Sequence, residues 1–469
     1  MTHLGYAMMK SSLTSEESKE LRKELTVAPK SAGGRFAKQG DPFTVFQESA
    51  TRFYLPRMWA LEKFGPAEAD ILVEGDTLRE DVHFIGSPYE YQKDIVSHFI
   101  DAGANGLICV PCGRGKTFMA INIAARLGRR FLVVVDKEFL LQQWSGELQA
   151  LMPGIRIGII QENKKQISSS QYDCCIAMIQ TLVQREFAET DFRGFGFTIF
   201  DECHHLGAAH FSRALLKVQT KYMLGLSATP TRDDGLTKVF EWFLGKPVYW
   251  EKTREADPDV IVKKVDFECE DEKYNDIPTD YHGEVILARL LTQIVDCEDR
   301  NLVIDELLKD LVKEPKRRIL VLSERKSHLE RIERGLPKGT TFGYYVGGMK
   351  EAVREEGART AQVLLGTYAM ASEAMNIKTL NAMIMASPRK KIEQSTGRIL
   401  RTRKTERELQ PLIIDIVDSH SVYQGQWMKR RAYYKKCAYK IEGEPEKVKK
   451  GDIGSKELNT NTCLIMDDE

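Results

Sequence analysis

The chain has 469 residues, 42% of them hydrophobic, and its 68 basic side chains are balanced by 68 acidic ones. This length allows two or three domains, and the zero net charge excludes binding of nucleic acid by global attraction, so any such binding needs basic groups gathered in a groove. Nine scattered cysteines argue for reduced thiols rather than a secreted disulfide framework.

No apolar run is long enough for a membrane span. The start, "MTHLGYAMMKSSLTSEESKELRKEL", lacks a signal-peptide core. The expectation is an intracellular protein, in cytoplasm, nucleus or virion.

In chain order, residues 1–80 are the least patterned and read as a small N-terminal accessory region. "KSAGGRFAKQGDP" reads as a loop, and "FTVF" and "TRFYLPRMW" as short strands. A different rhythm then begins. "GLICV", "FLVVV", "DCCIAM", "FTIF" and "YMLGLS" are short apolar runs with amphipathic stretches such as "TFMAINIAARLG" between them. Buried strands alternating with helices predict an α/β lobe with a parallel sheet, over 81–250. A polar stretch, "ECEDEKYNDIPTDYHGE", marks a linker over 251–285. "RILVLS", "TFGYYV", "QVLLGT", "NAMIMA" and "PLIIDIV" predict a second lobe over 286–440, followed by a frayed tail over 441–469.

The stretch "LICVPCGRGKTF" (107–118) offers two chemistries, a C-x-x-C pair and a phosphate cradle. The cradle is the stronger reading. It lies between a strand and a helix, where free N–H groups favour an anion. Gly113 and Gly115 let backbone wrap a phosphate, Lys116 reaches the β/γ-phosphates, and the Thr117 hydroxyl suits Mg²⁺. Val110 stands where the generic pattern has glycine, and a surface turn with a chance lysine is the plain alternative. A structural zinc site needs four ligands, and no second pair has the spacing for one.

"FTIFDECHH" sets Asp201 and Glu202 directly after a buried strand. Strand ends of one parallel sheet share an edge, so these carboxylates can face the cradle. Asp201 suits a Mg²⁺ shell, and Glu202 suits a base that orients water. Further on, Gln394, Arg398 and Arg401 in "QSTGRILR" follow i, i+4, i+7 and would share one helix face.

With "PCGRGKT", "DECH", "GLSATPTRDDG", "QSTGRILR" and "YEYQKDIV" all present, residues 85–440 resemble the superfamily 2 helicases of the DExH type. "GYYVGGMK", "GTYAMASEAMNI" and "DIVDSHSVYQGQWMKRRAYYKKCAY" are similar to the transcript-release helicases of poxviruses and other large DNA viruses, relatives of the XPB-type enzymes. The resemblance implies two tandem RecA-like lobes, ATP and Mg²⁺ as cofactors, and movement along DNA in transcription or repair. RNA polymerase or transcription factors would be partners.

The resemblance also implies roles for named residues. Gln92 reads adenine and Gln394 the nucleotide. Arg398 and Arg401 reach the γ-phosphate from the second lobe. Ser227, Thr229 and His204 couple the two sites. Thr181, Arg325 and Thr367 touch the nucleic-acid backbone. Ala374 and Asn376 in "SEAMNI" depart from the family's glycine and acid. An RNA helicase, a restriction-system motor subunit and an ATP-gated clamp without unwinding are the alternatives.

Overall fold

A computed structural model describes residues 1–30, 40–188, 190–232, 234–251, 256–373, 377, 379–397, 399–400, 402 and 404–443. The frayed tail expected over 441–469 lies outside them from residue 444 onward.

Residues 1–64 contribute β1 (Tyr6–Met9), α1 (Ser15–Glu24), β2 (Thr26–Val27), β3 (Phe43–Thr44), β4 (Gln47–Glu48), β5 (Arg52–Leu55) and α2 (Arg57–Phe64). β1, β5 and β4 form an antiparallel sheet in that order, and β2 pairs with β3. A capping box starts α1: Glu17 N–H donates to Thr14 Oγ1 at 3.2 Å, and Thr14 N–H to Glu17 Oε2 at 2.7 Å. The stretch "TRFYLPRMW", read as one strand, turns at Pro56 into α2, because proline suits the start of a helix better than a ladder.

This region does not stand apart from the rest of the chain. Phe53, Leu55 and Trp59 share one apolar cluster with Leu107, Leu132 and Phe240. Arg57, buried, donates to the carbonyls of Thr220 at 2.8 Å and Lys221 at 3.2 Å, and also bonds Asn105. Burial pulls its guanidinium down to about 10.

The next sheet has β6 (Asn105–Cys109), β7 (Phe131–Val135), β8 (Ile157–Gln161), β9 (Lys164–Lys165), β10 (Cys174–Met178), β11 (Phe197–Phe200), β12 (Tyr222–Ser227) and β13 (Pro247–Trp250). Their order is β13-β6-β12-β11-β7-β10-β8-β9, parallel except for the β8–β9 pair. Alternation sorts the side chains between two cores. Leu107 and Cys109 join Leu132 and Val134 on one face, whereas Ile108 joins Phe131 and Val133 on the other. The helices include α3 (Glu90–Asp101), α4 (Lys116–Leu127), α5 (Glu138–Leu151) and α6 (Ile179–Gln184). Gly128, left-handed at φ 60°, ends α4 by donating to the carbonyls of Ala124 and Ala125.

The last sheet has β14 (Ile261–Phe267), β15 (Ile319–Ser323), β16 (Phe342–Tyr345), β17 (Val363–Thr367), β18 (Ala382–Met385), β19 (Leu412–Asp418) and β20 (Lys440–Ile441). Its order is β16-β17-β15-β18-β19-β14-β20, and all pairs are parallel. Seven residues of the span read as linker therefore form a strand beside β19. Lys263, Lys264 and Asp266 hide β14 from an apolar-run reading, because its neighbour β20 is a two-residue edge that leaves these side chains partly solvated.

The helix Ser421–Lys436 packs on this sheet, with Tyr434 buried and its hydroxyl donating to Asp415 Oδ2 at 2.9 Å. The "KRRAYYKK" run is thus partly a packing face. Among the described residues no helix is long and apolar enough to cross a membrane. Two mainly parallel α/β sheets in tandem, each covered by helices, are the two RecA-like lobes expected.

Candidate functional site

The loop between β6 and α4 carries Gly113 at φ 86° and Gly115 at φ 81°, backbone that L side chains rarely adopt. A Cβ on Gly115 would lie 2.5 Å from Gln92 Nε2. Gln92, buried on α3, accepts from Tyr89 N–H at 3.0 Å and donates to the Arg114 carbonyl at 3.2 Å. Its carboxamide therefore grips the cradle's own backbone. Arg114 lies over the Tyr91 ring at 4.1 Å and bonds Glu251 at 3.0 Å, which ties the loop to the chain just after β13. Val110 is fully buried and donates its N–H to the Ser227 carbonyl at 3.2 Å. This position extends the β6–β12 ladder rather than lining a phosphate. Cys109 is also fully buried in β6, and burial pushes its thiol up to about 12.

β11 delivers the carboxylates. Asp201 N–H donates to the Val134 carbonyl at 3.0 Å, continuing the ladder by one residue. Glu202 then turns left-handed at φ 43°, ψ 50°, strain of the kind that gathers at functional sites. Lys116 Nζ stands 3.8 Å from Glu202 Oε1. Asp201 accepts from Trp144 Nε1 at 2.9 Å and from Glu202 N–H at 2.9 Å. Burial, then the neighbouring Glu202 charge, pushes the Asp201 carboxyl up to about 6, against the lowering effect of Trp144 and Lys116. A carboxylate strained in this way beside a second one suits a bound divalent cation.

β12 lies between β6 and β11, so its end faces both halves of the site. Ser227 Oγ accepts from Thr229 N–H at 3.1 Å and lies 3.0 Å from His204 Nδ1, itself 3.5 Å from Glu202 Oε2. Burial pulls the His204 imidazole down to about 4, so it is neutral at physiological pH. Arg232 donates to the His204 carbonyl at 2.5 Å. A continuous run therefore leads from Glu202 through His204 and Ser227 to Thr229.

Two participants escaped the sequence reading. Trp144 ends the run "DKEFLLQQW", and its indole holds Asp201. Arg232 continues the "SATPTR" element and locks it to the turn after Glu202. The signal was present in both cases, as a buried tryptophan at helical spacing and an arginine beside a motif, but sequence spacing alone shows neither partner.

In the second lobe the outcome is mixed. Arg398 and Arg401 lie outside the described residues, as do Ala374 and Asn376. Gln394 belongs to the helix Glu393–Thr396. The helix face expected from Gln394 through Arg398 to Arg401 thus falls in part on residues outside the described ones. The helix Glu393–Thr396 ends before Gly397, and Ile399 and Leu400 are buried beyond it. Thr396 Oγ1 lies 3.1 Å from the Tyr433 hydroxyl, holding this element against the helix Ser421–Lys436.

Arg325 and Thr367 reach the same edge, because β15 and β17 pair with Ser323 opposite Thr367. Arg325 Nη2 donates to the Ala288 carbonyl at 3.3 Å. Thr181 is buried, and its hydroxyl accepts from Glu162 N–H at 2.9 Å. That placement runs against a direct backbone-phosphate contact by Thr181.

A family model described as Type III restriction enzyme, res subunit, matches residues 85–232. The chain is 31% identical over 457 residues to the "Putative ATP-dependent RNA helicase L396" of Acanthamoeba polyphaga mimivirus, covering 94% of this chain and 86% of that one. It is 29% identical over 355 residues to the "Putative ATP-dependent RNA helicase QP509L" of African swine fever virus, isolate Tick/Malawi, covering 70% and 68%. A "Putative DNA 3'-5' helicase Rad25" of Halobacterium salinarum is 32% identical over 212 residues, covering 43% and 34%. Among solved structures, the Pyrococcus furiosus Hef helicase domain aligns with 76% of this chain and 100% of that one, at 17% identity and a TM-score of 0.49.

The chain belongs to the superfamily 2 helicases, enzymes that use ATP to work on nucleic acid. Within that class its relatives are helicases of large DNA viruses and an XPB-like Rad25 protein.

Proposed function

We propose that the chain hydrolyses ATP between its two lobes to move along DNA, in the service of transcript release or repair. Lys116 would neutralise the β/γ-phosphates. Thr117 and Asp201 would hold Mg²⁺, whose charge stabilises the transferring phosphoryl group. Glu202 would orient the attacking water, and Arg398 and Arg401 would complete the site from the second lobe. The observation that carries this reading is the 3.8 Å approach of Lys116 to Glu202 behind two left-handed glycines.

Coupling follows from the run Glu202–His204–Ser227–Thr229, with a neutral imidazole as its middle member. A change at Glu202 on hydrolysis would alter a hydrogen bond at the end of β12 and so bias lobe closure. Arg325 and Thr367 would receive the strand's phosphates. RNA polymerase or a transcription factor would be the protein partner. The domain limits proposed are an accessory region over 1–80, a first lobe over 81–250, a linker over 251–285 that contributes β14 to the second sheet, and a second lobe over 286–440.

Movement on RNA is the second reading, favoured by the names of the viral relatives. The test is the ATPase rate with no nucleic acid, single-stranded DNA, duplex DNA and single-stranded RNA, beside Glu202→Gln. Stimulation by DNA alone, lost in the variant, supports the first reading. Equal stimulation by RNA supports the second, and no stimulation by any points to a clamp gated by a protein.

A further inference from the structure

A cavity of about 740 Å³ lies where the N-terminal sheet meets the first lobe. Its walls include β5, the run 71–73, the loop around Phe187 and Phe192, and the stretch 216–221. That last stretch leads into the amino end of β12, so the cavity opens at the sheet edge opposite Lys116 and Glu202. ATP hydrolysis leaves it without a role.

Three features describe what would fill it. Gln219 is 6% exposed and lines the cavity, yet neither its Oε1 nor its Nε2 has a hydrogen-bond partner among the described residues. A buried carboxamide left in this way is costly, and it offers one donor side and one acceptor side to a ligand. The wall beside it is aromatic, with the Phe187 and Phe192 rings 5.1 Å apart and the Phe192 and Phe195 rings 6.4 Å apart. At the mouth, Ile71 is 65% and Val73 is 49% exposed, two residues apart on a non-helical run.

Charge supplies the sign. Arg52, Arg193, Lys217 and Lys221 line the cavity against one acid, Glu186. Lys221 also pairs with Glu74, and Lys217 pairs with Glu186 at 3.5 Å and donates to the carbonyls of Val183 at 3.2 Å and Arg185 at 2.8 Å. Four cations against Glu186 and Glu74 still leave a basic excess around an apolar floor.

We propose that this cavity binds an extended acidic segment of a protein partner, one that carries large apolar side chains. A peptide unit presents both a carbonyl and an N–H to Gln219. Alternate side chains of an extended peptide would rest on Ile71 and Val73 and on the phenylalanine wall. Its carboxylates would meet the exposed Arg52 and the basic excess around it. A nucleobase would also satisfy Gln219 but would leave the aliphatic mouth unused. The ATP site then faces one sheet edge and the docking point the other, so a partner can hold the enzyme without entering the cleft.

The test starts with a random dodecapeptide display selection on the full chain, followed by fluorescence anisotropy of the enriched peptides. Enriched sequences should be net negative and rich in leucine, isoleucine or phenylalanine. Arg52→Glu and Val73→Asp, both at exposed positions away from the ATP site, should weaken them about tenfold or more while basal ATPase stays unchanged. Enrichment of neutral or basic sequences, or none at all, would overturn the proposal. So would equal binding by both variants. A labelled ten-nucleotide single strand whose binding falls in Arg52→Glu, with no peptide enriched, would assign the cavity to nucleic acid instead.

Discussion

Two buried charge clusters, one in each lobe, are built in opposite ways. In the second lobe the fully buried Arg300 and Arg430 each meet a carboxylate. Arg300 bonds Asp418 at 2.7 and 3.2 Å and the Ala386 carbonyl at 2.5 Å, and Tyr274 adds a bond to Asp418 at 3.1 Å. Arg430 bonds both oxygens of Asp415 at 2.8 Å, with Tyr434 on the same carboxylate. In the first lobe Asp201 and Glu202 crowd toward one ammonium, and the Asp201 carboxyl is pushed up to about 6. Fully matched charge holds a scaffold, whereas unevenly matched charge marks a place prepared for an incoming cation and phosphate.

The largest expected effect breaks the reactive half alone. Lys116→Ala and Glu202→Gln should each lower ATP turnover about 10³-fold, the scale for losing a main electrostatic stabiliser. The melting curve should be unmoved. A stability loss matching the activity loss would contradict the separation of roles.

The scaffold half should answer in reverse. Asp415→Asn or Arg300→Met leaves a buried charge without its partner and should destabilise the second lobe by about 3–5 kcal/mol. Urea unfolding followed by the tryptophan signal measures this, and nucleotide binding to the first lobe should survive.

Trp144→Phe sharpens the contrast. It removes a hydrogen bond that lowers the Asp201 carboxyl, so that carboxyl should rise further. We expect turnover to fall about ten- to hundredfold, from the roughly 1.5–3 kcal/mol of a bond to a charged group, and the Mg²⁺ optimum at pH 7 to move upward. An unchanged Mg²⁺ titration would rule out this role for the indole.

pH gives a related contrast. Asp201 rises from 3.8 to about 6 on folding. Its protonated form therefore favours the folded state below pH 4, and that contribution is lost as pH rises through 6. Mg²⁺ needs the ionised form, so calorimetry should show Mg-nucleotide affinity falling as pH drops below about 6. His204, at about 4, stays neutral across that window. The smallest effect expected is for Ser227→Ala, with basal ATPase nearly kept and stimulation by nucleic acid reduced several-fold.

Much of the reactive half was legible in the chain. The strands "FLVVV" and "FTIF" are apolar without interruption because both faces of a parallel sheet are covered. Motifs stand directly after such strands because catalysis uses their carboxyl ends. β14 was not legible, since its lysines look like linker until β19 is placed beside it.

By itself the sequence determined the alternation of strand and helix, the cradle at Gly113–Thr117 and the carboxylates at Asp201–Glu202, because each rests on local backbone chemistry. Only the tertiary structure decided that Gln92 grips the loop, that Trp144 holds Asp201, that Thr181 turns inward, and that the first 64 residues share the first lobe's core. Those relations join residues far apart in the chain, and they exist only once the sheets bring them together.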